Sequence, residues 1–108
     1  MPKSLFLGEF EQLVLLAVMR SGTQPYALQI SREIENAGGR AISRGALYRT
    51  LDRLEGKGFV RFSVEPGGPE RGGHARRRFA VTSAGERVLS ETLGVQDRLR
   101  EGLAGVKP

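Results

Sequence analysis

The sequence predicts a single domain that is mainly α-helical and contains one small β-hairpin. Apolar residues recur at the three- and four-residue spacing of helices on both sides of the region 59–81. Within that region apolar residues alternate with polar ones, as they do in strands, around a glycine-rich run. The length of 108 residues suits one hydrophobic core of ordinary size. We therefore expect three helices, a hairpin and a final helix, in that order.

The first two helices are predicted from apolar periodicity and from the residues that end each segment. The first is expected over 9–20, where its apolar positions are Phe10, Leu13, Val14, Ala17 and Val18. These cover much of the circumference, so this helix is expected in the core or at a subunit contact. The second is expected to open at Gln24-Pro25, because proline suits a first helical turn, and to end at Gly38-Gly39.

The third helix has an N-cap, an apolar stripe and a glycine-rich end. Ser43 is expected to cap its N-terminus, and the segment 56–58, Gly-Lys-Gly, to end it. Its apolar stripe consists of Leu47, Leu51 and Leu54. That stripe fixes one face as buried, so the opposite face is expected to be exposed.

The region 59–81 predicts the hairpin. Residues 59–64 alternate in polarity, and residues 74–81 form the returning strand, with Phe79 and Val81 as apolar anchors. The segment 65–73, EPGGPERGG, is expected to be a long mobile turn without regular structure.

The last helix is capped by Thr82-Ser83 and carries a broken apolar stripe that extends to Leu103. Glycines along it lower its intrinsic helicity, so it is expected to fray toward Pro108 unless another chain covers its apolar face.

The charge of the chain favours a polyanionic partner. Lys and Arg number 17 against 12 Asp and Glu, which gives a formal net charge of +5. Basic surfaces gain free energy by neutralising phosphates and releasing their counterions.

Positive residues of the third helix are expected to face a partner. Arg49 and Arg53 are four residues apart and share a face roughly opposite the leucine stripe, with Tyr48 beside them. A helix of this kind suits the major groove of DNA. The alternative is an ordinary solvated face on which Asp52 and Glu55 pair with neighbouring arginines.

The hairpin supplies a second basic group, which comprises Arg71, Arg76, Arg77 and Arg78. Strand alternation places Arg76 and Arg78 on one face and Arg77 on the other. The glycine-rich tip is expected to reach phosphates or a minor groove, and a loop kept soluble by its charges is the alternative.

The sequence offers no assembled catalytic or metal site. There is no cysteine, and the single histidine, His74, has no second metal-binding partner near it and is interpreted as a solvated loop residue. Glu9 and Glu11 turn to nearly opposite sides of a helix, and the glycine pairs lack the lysine of a phosphate-binding loop. We therefore expect no enzyme and no cofactor.

No membrane segment is predicted. The longest apolar stretch, residues 13–19, is too short to span a bilayer, and the N-terminus lacks the pattern of a signal peptide. A cytoplasmic location without membrane contact is therefore expected.

Four segments together resemble the PadR family of winged-helix transcriptional regulators. They are LGEFE (7–11) leading into LLAV (15–18), YA (26–27), ISRGALYRTLDRLEGKG (42–58) and RRFAVTSAG (77–85). The resemblance extends over about residues 5–93 and is most specific in the segment 43–58 joined to the Thr-x-x-Gly entry into the last helix.

The resemblance implies a dimeric regulator, usually a repressor, whose third helix enters the major groove. It implies a winged helix-turn-helix over 5–82 with a flexible wing tip at 65–73, and a dimerisation helix over 83–105. Paired recognition helices about 34 Å apart would match a near-palindromic operator in double-stranded DNA. The alternative function is a basic protein-interaction module without a specific DNA target.

The expected DNA contacts are Ser43, Arg44, Ala46, Tyr48, Arg49, Arg53, Lys57, Arg71, Arg76 and Arg78. Among them Ser43, Arg44 and Arg49 are assigned to base edges, whereas Tyr48 has the alternative of filling the edge of the core. The expected homodimer interface consists of Phe10, Leu13, Leu89, Leu93 and Leu99. Part of this interface leaves room for a small apolar effector between the subunits, with a plain apolar contact as the alternative.

Overall fold

The computed structural model describes residues 7–69 and 72–106. Within these residues it contains four helices and two strands, in the order α1 (Glu9–Arg20), α2 (Ala27–Gly38), α3 (Arg44–Gly56), β1 (Val60–Glu65), β2 (Arg76–Val81) and α4 (Ser83–Arg100). This order confirms the predicted mainly helical fold with a hairpin between the third and fourth helices. Arg71 and the first residues of the range 5–82 lie outside the described residues.

Helix α1 is the centre of the core and packs against α2, α3, β2 and α4. Its side chains at Val14, Leu15 and Val18 are at most 2% exposed. Its bounds match the prediction because the apolar periodicity begins and ends with the helix itself. The core is completed by leucines of α3, isoleucines of α2, Phe79 and the first turns of α4.

Helix α2 begins at Ala27, two residues later than the Pro25 start that the sequence suggested. Gln24 has a φ of 51°, and Tyr26 is extended, with φ −81° and ψ 164°. The carbonyl of Pro25 accepts the N–H of Phe79 at 2.9 Å, so this segment runs beside the hairpin and cannot be helical. The side chain of Gln29 accepts the N–H of Tyr26 at 2.8 Å and caps the helix that follows.

The hairpin is antiparallel, and its register pairs Val60 with Val81 and Glu65 with Arg76. Strand β1 therefore includes Glu65, which the sequence assigned to the turn, and β2 begins at Arg76 rather than at residue 74. The side chains of this last pair, Glu65 and Arg76, also contact Tyr26, the residue before α2. Phe79 is buried, whereas Phe62 and Val64 are 38% and 59% exposed, so the core covers the base of the hairpin only.

Helix α4 is anchored at its start and uncovered at its end. The hydroxyl of Thr82 accepts the N–H of Gly85 at 3.0 Å, as the sequence predicted, and also donates to the carbonyl of Gly58 at 2.7 Å. The helix ends at Arg100, so the dimerisation helix expected over 83–105 is five residues shorter than its range. Gly102, with a φ of 82°, lies in the turn that follows, where the helical backbone has already ended. No helix in the ranges 7–69 and 72–106 is long and apolar enough to cross a membrane.

Candidate nucleic-acid interface

Helix α3 presents one polar face because its other face is sealed in the core. Leu47, Leu51 and Leu54 are at most 1% exposed. Ser43 accepts the N–H of Ala46 at 3.1 Å, which caps the N-terminus as predicted. The exposed positions from Arg44 to Asp52 are Arg44, Gly45, Tyr48, Arg49 and Asp52. The buried stripe thus determines which side chains α3 can offer to a partner.

The guanidinium of Arg49 lies back over the first turn of α3. A Cβ atom at Gly45 would be 3.2 Å from Nη1 of Arg49 and 3.6 Å from Oγ of Ser43. Helical side chains point toward the N-terminus, so this position is the expected one for a long side chain at residue 49. Arg49 therefore joins Ser43 and Arg44 at the N-terminal end of α3, and the missing side chain at Gly45 leaves the space for it.

Arg44 and Arg49 are exposed, and across residues 7–69 and 72–106 neither forms an ion pair with a carboxylate. Asp52, which could have neutralised this face, pairs instead with Arg77 of β2, where Oδ1 and Nη1 are 3.2 Å apart. The guanidinium groups of Arg44 and Arg49 are therefore available to an external acceptor.

Tyr48 lies on the surface, 38% exposed, rather than at the edge of the core. It lines a groove of about 310 Å³ between α2 and α3, together with Leu28, Arg32 and Arg44. On its other side, the guanidinium carbon of Arg77 is 5.8 Å from its ring centroid. Its ring thus lies between the N-terminal part of α3 and the hairpin.

Arg53 and Lys57 are held by one buried carboxylate of α1. Glu11 is 6% exposed, and its Oε2 is 2.8 Å from Nζ of Lys57 and 3.5 Å from Nε of Arg53. Its Oε1 accepts the N–H of Gly8 at 2.8 Å. Burial alone would raise the pKa of Glu11, but the hydrogen bonds from Lys57, Gly8 and Arg53 outweigh it and hold the pKa below the usual 4.5. Two of the predicted DNA contacts therefore also join α3 to α1.

The arginines of β2 divide between two faces as the alternation predicted. Arg76 and Arg78 both lie over the ring of Tyr26, with guanidinium carbons 3.9 Å and 4.5 Å from its centroid. Arg77 faces the opposite way, toward Asp52 and the ring of Phe62. The hairpin is thus held against α2 on one side and against α3 on the other.

The residues expected at a subunit contact differ in their exposure. Leu13 and Leu99 are 43% and 72% exposed, whereas Phe10 and Leu93 are partly buried against the core. Leu89 is 4% exposed and packs inside its own chain, so it has almost no surface left to give to a second one. Its assignment to the dimer interface stays a prediction, because apolar periodicity identifies a buried face without identifying what buries it.

Sequence reasoning missed several residues of these surfaces. Leu16 and Met19 are 42% and 47% exposed and continue the row of Leu13 along α1, a three-residue spacing that was visible in the sequence. Tyr26 and Glu65 are bonded to each other although they are 39 positions apart, and no local signal predicts such a pair. The part of the chain that the structure describes holds no cluster of three or more metal-binding side chains, and His74 is exposed.

Comparison with known proteins places this arrangement among transcriptional regulators. Residues 15–91 match the model of the transcriptional regulator PadR-like family. A PadR-like transcription factor from Bacteroides fragilis has a similar structure, with a TM-score of 0.75 at 21% identity, over 91% of this chain and 89% of that one. RosR from H. salinarum has a TM-score of 0.69 at 26% identity, over 92% and 82% of the two chains.

A PadR family regulator from Eggerthella lenta is also similar, with a TM-score of 0.69 at 24% identity, over 90% of this chain and 84% of that one. Comparison with curated proteins gives no match. The similar structures share the mainly helical fold with its hairpin.

Proposed function

Because the chain belongs to the PadR-like family of DNA-binding transcriptional regulators, we propose that it is a repressor that binds a near-palindromic operator as a homodimer. The observation that carries the proposal is the cluster of Arg44, Tyr48 and Arg49 at the N-terminal end of α3. Both arginines lack an ion-pair partner in the described ranges, while the leucines behind them fix the helix in the core.

The N-terminal part of α3 supplies the contacts to base edges. An α-helix fits the major groove, and arginine donates two hydrogen bonds to O6 and N7 of guanine. Arg44 and Arg49 are the residues we assign to this role, with Ser43, Ala46 and Tyr48 beside them. Ala46 is half-buried, so its contact would be an apolar one.

Phosphate contacts come from the two ends of this surface. Lys57 and Arg53 share one carboxylate, so together with Glu11 they keep one net positive charge. On the hairpin we assign a phosphate contact to Arg76; it shares Glu65 with Arg78, which the sequence also expected at the DNA. These contacts would supply affinity without sequence information. Arg71 lies outside the described residues and stays a prediction.

The homodimer is proposed to form through α1 and α4. Leu13, Leu16 and Met19 form an exposed apolar row on α1, and Leu99 is the most exposed large apolar residue of α4. Buried positions of α4 end at Thr92, so its C-terminal half has a face that its own chain leaves open. A second chain would remove this apolar surface from water, which stabilises association.

A groove between α1 and α4 is the place where a small apolar effector would bind. It has a volume of about 430 Å³ and is lined by Leu16, Met19, Leu89, Leu93 and neighbouring polar residues. One side is open to solvent in a single chain, so a closed ligand cavity would require the second subunit. The effector stays a prediction that depends on the homodimer.

Binding-site selection from genomic DNA with the purified protein tests the whole proposal. We expect enrichment of one near-palindrome whose half-sites are about 10 base pairs apart. A fragment that carries it should outcompete bulk heteropolymer by about a thousandfold. Enrichment of no sequence, or binding that heteropolymer removes equally well, would contradict the proposal and favour a basic protein-interaction module.

Replacing Arg49 by alanine is expected to weaken operator binding by about 1–3 kcal/mol and to relax the preference at one base pair of each half-site. The physical reason is the loss of a guanidinium that lies over the first turn of α3. The measurement is a fluorescence-anisotropy titration against the selected operator and single-base variants of it. The matched control is Arg87→Ala, which removes an exposed arginine of α4 and should leave affinity unchanged. Equal affinity of Arg49→Ala and wild type would remove Arg49 from the reading surface.

Replacing Arg76 by alanine is expected to reduce the salt dependence of binding by about one unit of the slope of log K against log salt. The reason is that one phosphate contact would release one counterion fewer. Titrations at several salt concentrations, on the operator and on an unrelated duplex, should show the same change. A slope that stays the same would mean that the hairpin does not contact the DNA backbone.

A further inference from the structure

A side-chain cluster joins the base of the hairpin to the start of α2. Arg78 donates from Nε to Oε1 of Glu65 at 2.8 Å, from Nη2 to the hydroxyl of Tyr26 at 2.7 Å, and from Nη1 to the carbonyl of Gln24 at 3.1 Å. The hydroxyl of Tyr26 in turn donates to Oε1 of Glu65 at 2.5 Å. The guanidinium of Arg78 thus has three acceptors on two separate parts of the chain.

The backbone makes the same connection. Tyr26 and Arg78 form an isolated antiparallel bridge beside the hairpin. The N–H of Phe79 donates to the carbonyl of Pro25 at 2.9 Å. The side-chain bonds of Arg78 therefore strengthen a backbone contact that the segment 24–26 already makes with β2.

Arg78 and Arg76, the two arginines of this cluster, differ in their hydrogen bonds. The hydrogen bond with Glu65 raises the pKa of Arg78, and its three bonds turn its N–H groups toward its own chain. Arg76 contacts Glu65 at 3.9 Å, too far for a hydrogen bond, and otherwise stacks on Tyr26. The two arginine side chains are similarly exposed, at 42% and 38%, but among the described residues the guanidinium of Arg76 makes no hydrogen bond, so its donors remain free to meet a phosphate.

We infer that Arg78 is a positioning residue rather than a phosphate contact: with Tyr26 and Glu65 it fixes the hairpin against α2, and it thereby holds Arg76 where Arg76 meets DNA. This inference rests on the proposed function, because it needs the hairpin to contact the DNA backbone. It separates two arginines that the sequence assigned to the same role.

The hairpin has a physical need for such a fixing contact. A two-stranded sheet is marginally stable by itself, and here Phe62 and Val64 leave much of it uncovered by the core. Ordering a mobile hairpin on binding would consume part of the binding free energy. A hairpin that is already fixed in the free protein avoids that loss.

The test compares Arg78→Lys with Arg76→Lys. Lysine keeps the positive charge and binds phosphate as a point charge, but it cannot make three bonds in the planar geometry of a guanidinium. We expect Arg78→Lys to weaken operator binding about tenfold and Arg76→Lys less than about twofold. Operator binding by Arg78→Lys equal to that of wild type would overturn the inference.

Tyr26→Phe provides a second variant that changes no charge and keeps the ring under Arg76. We expect it to weaken operator binding about threefold. In the double variant with Arg78→Lys, the loss of binding free energy should be smaller than the sum of the two single losses, because both substitutions remove the same contact. Additive effects of the two substitutions would overturn the inference. This variant also decides the question if Arg78→Lys fails to fold.

Amide hydrogen exchange of the free protein tests the fixing role of Arg78 without DNA. In Arg78→Lys and Tyr26→Phe the amide of Phe79 should exchange faster, while amides in the middle of α1 keep their wild-type rates. Arg76→Lys should leave both unchanged. Should wild type bind no operator, the proposed function fails, and faster exchange at Phe79 still supports the fixing role of Arg78. Unchanged exchange at Phe79 in both variants would overturn it.

Discussion

Replacing Gly85 by alanine is expected to lower the free energy of unfolding by about 3 kcal/mol. A Cβ atom at this position would be 2.1 Å from the carbonyl oxygen of Phe59 and 2.8 Å from Cγ1 of Val81. That carbonyl cannot move aside easily, because it accepts the N–H of Thr82 at 3.0 Å, and the N–H of Phe59 donates to Leu54 at 2.9 Å. The first turn of α4 would have to move away from the hairpin.

Urea denaturation measures this effect, and Gly94→Ala is its matched control in the same helix. A Cβ atom at Gly94 would be 3.4 Å from Nη1 of Arg98, the far end of a flexible side chain. This control should therefore keep or raise stability, by up to about 1 kcal/mol, since alanine favours helix more than glycine does. Equal stability of Gly85→Ala and wild type would mean that α4 does not approach the hairpin this closely.

The close approach at Gly85 connects the two proposed roles of the chain. Val88 and Leu89 follow it into the core, so the start of α4 is fixed to the base of the hairpin. The exposed end of α4, which includes Leu99, extends from this fixed start. A homodimer formed through α4 would therefore set the distance between the two hairpins and between the two copies of α3.

Local features of this fold could be predicted from the sequence because they depend on contacts within about four residues. The caps at Ser43 and Thr82 each accept an N–H three residues further along the chain. The leucine stripe of α3 follows from helical geometry alone, and the exposed face with Arg49 follows from the stripe. These local features are sufficient to place the candidate DNA-binding face on α3.

Contacts between distant segments could not be predicted in the same way. Lys57 and Glu11 are 46 positions apart, and Arg78 and Tyr26 are 52 apart. Helical periodicity placed Arg53 beside Arg49, but it gave no information on the carboxylate of α1 that Arg53 faces. The sequence therefore grouped the basic side chains by helix face and strand, while their division into free and internally bonded ones required the tertiary structure.

Replacing Glu11 by alanine is the second change with a large expected effect, a loss of about 2 kcal/mol in the free energy of unfolding. Glu11 accepts hydrogen bonds from the backbone of Gly8 and from Lys57, and it pairs with Arg53, so its removal frees three donors. In a domain of this size the loss corresponds to a fall of roughly 10 °C in the melting temperature. The control is Glu9→Ala in the same first turn, an exposed carboxylate whose removal should change stability by no more than about 0.5 kcal/mol.

The contribution of Glu11 to the free energy of unfolding should decrease as the pH falls. Its pKa is lowered in the folded protein from the usual 4.5, so the unfolded chain takes up the proton first as the pH falls. The stabilisation is therefore complete above about pH 5 and is lost progressively as the pH falls through the folded pKa. The stability difference between wild type and Glu11→Ala, measured by urea denaturation at pH 7 and at successively lower pH, should shrink in acid. If the difference were the same at both ends of this range, the carboxylate of Glu11 would not be the group that fixes α1 to α3.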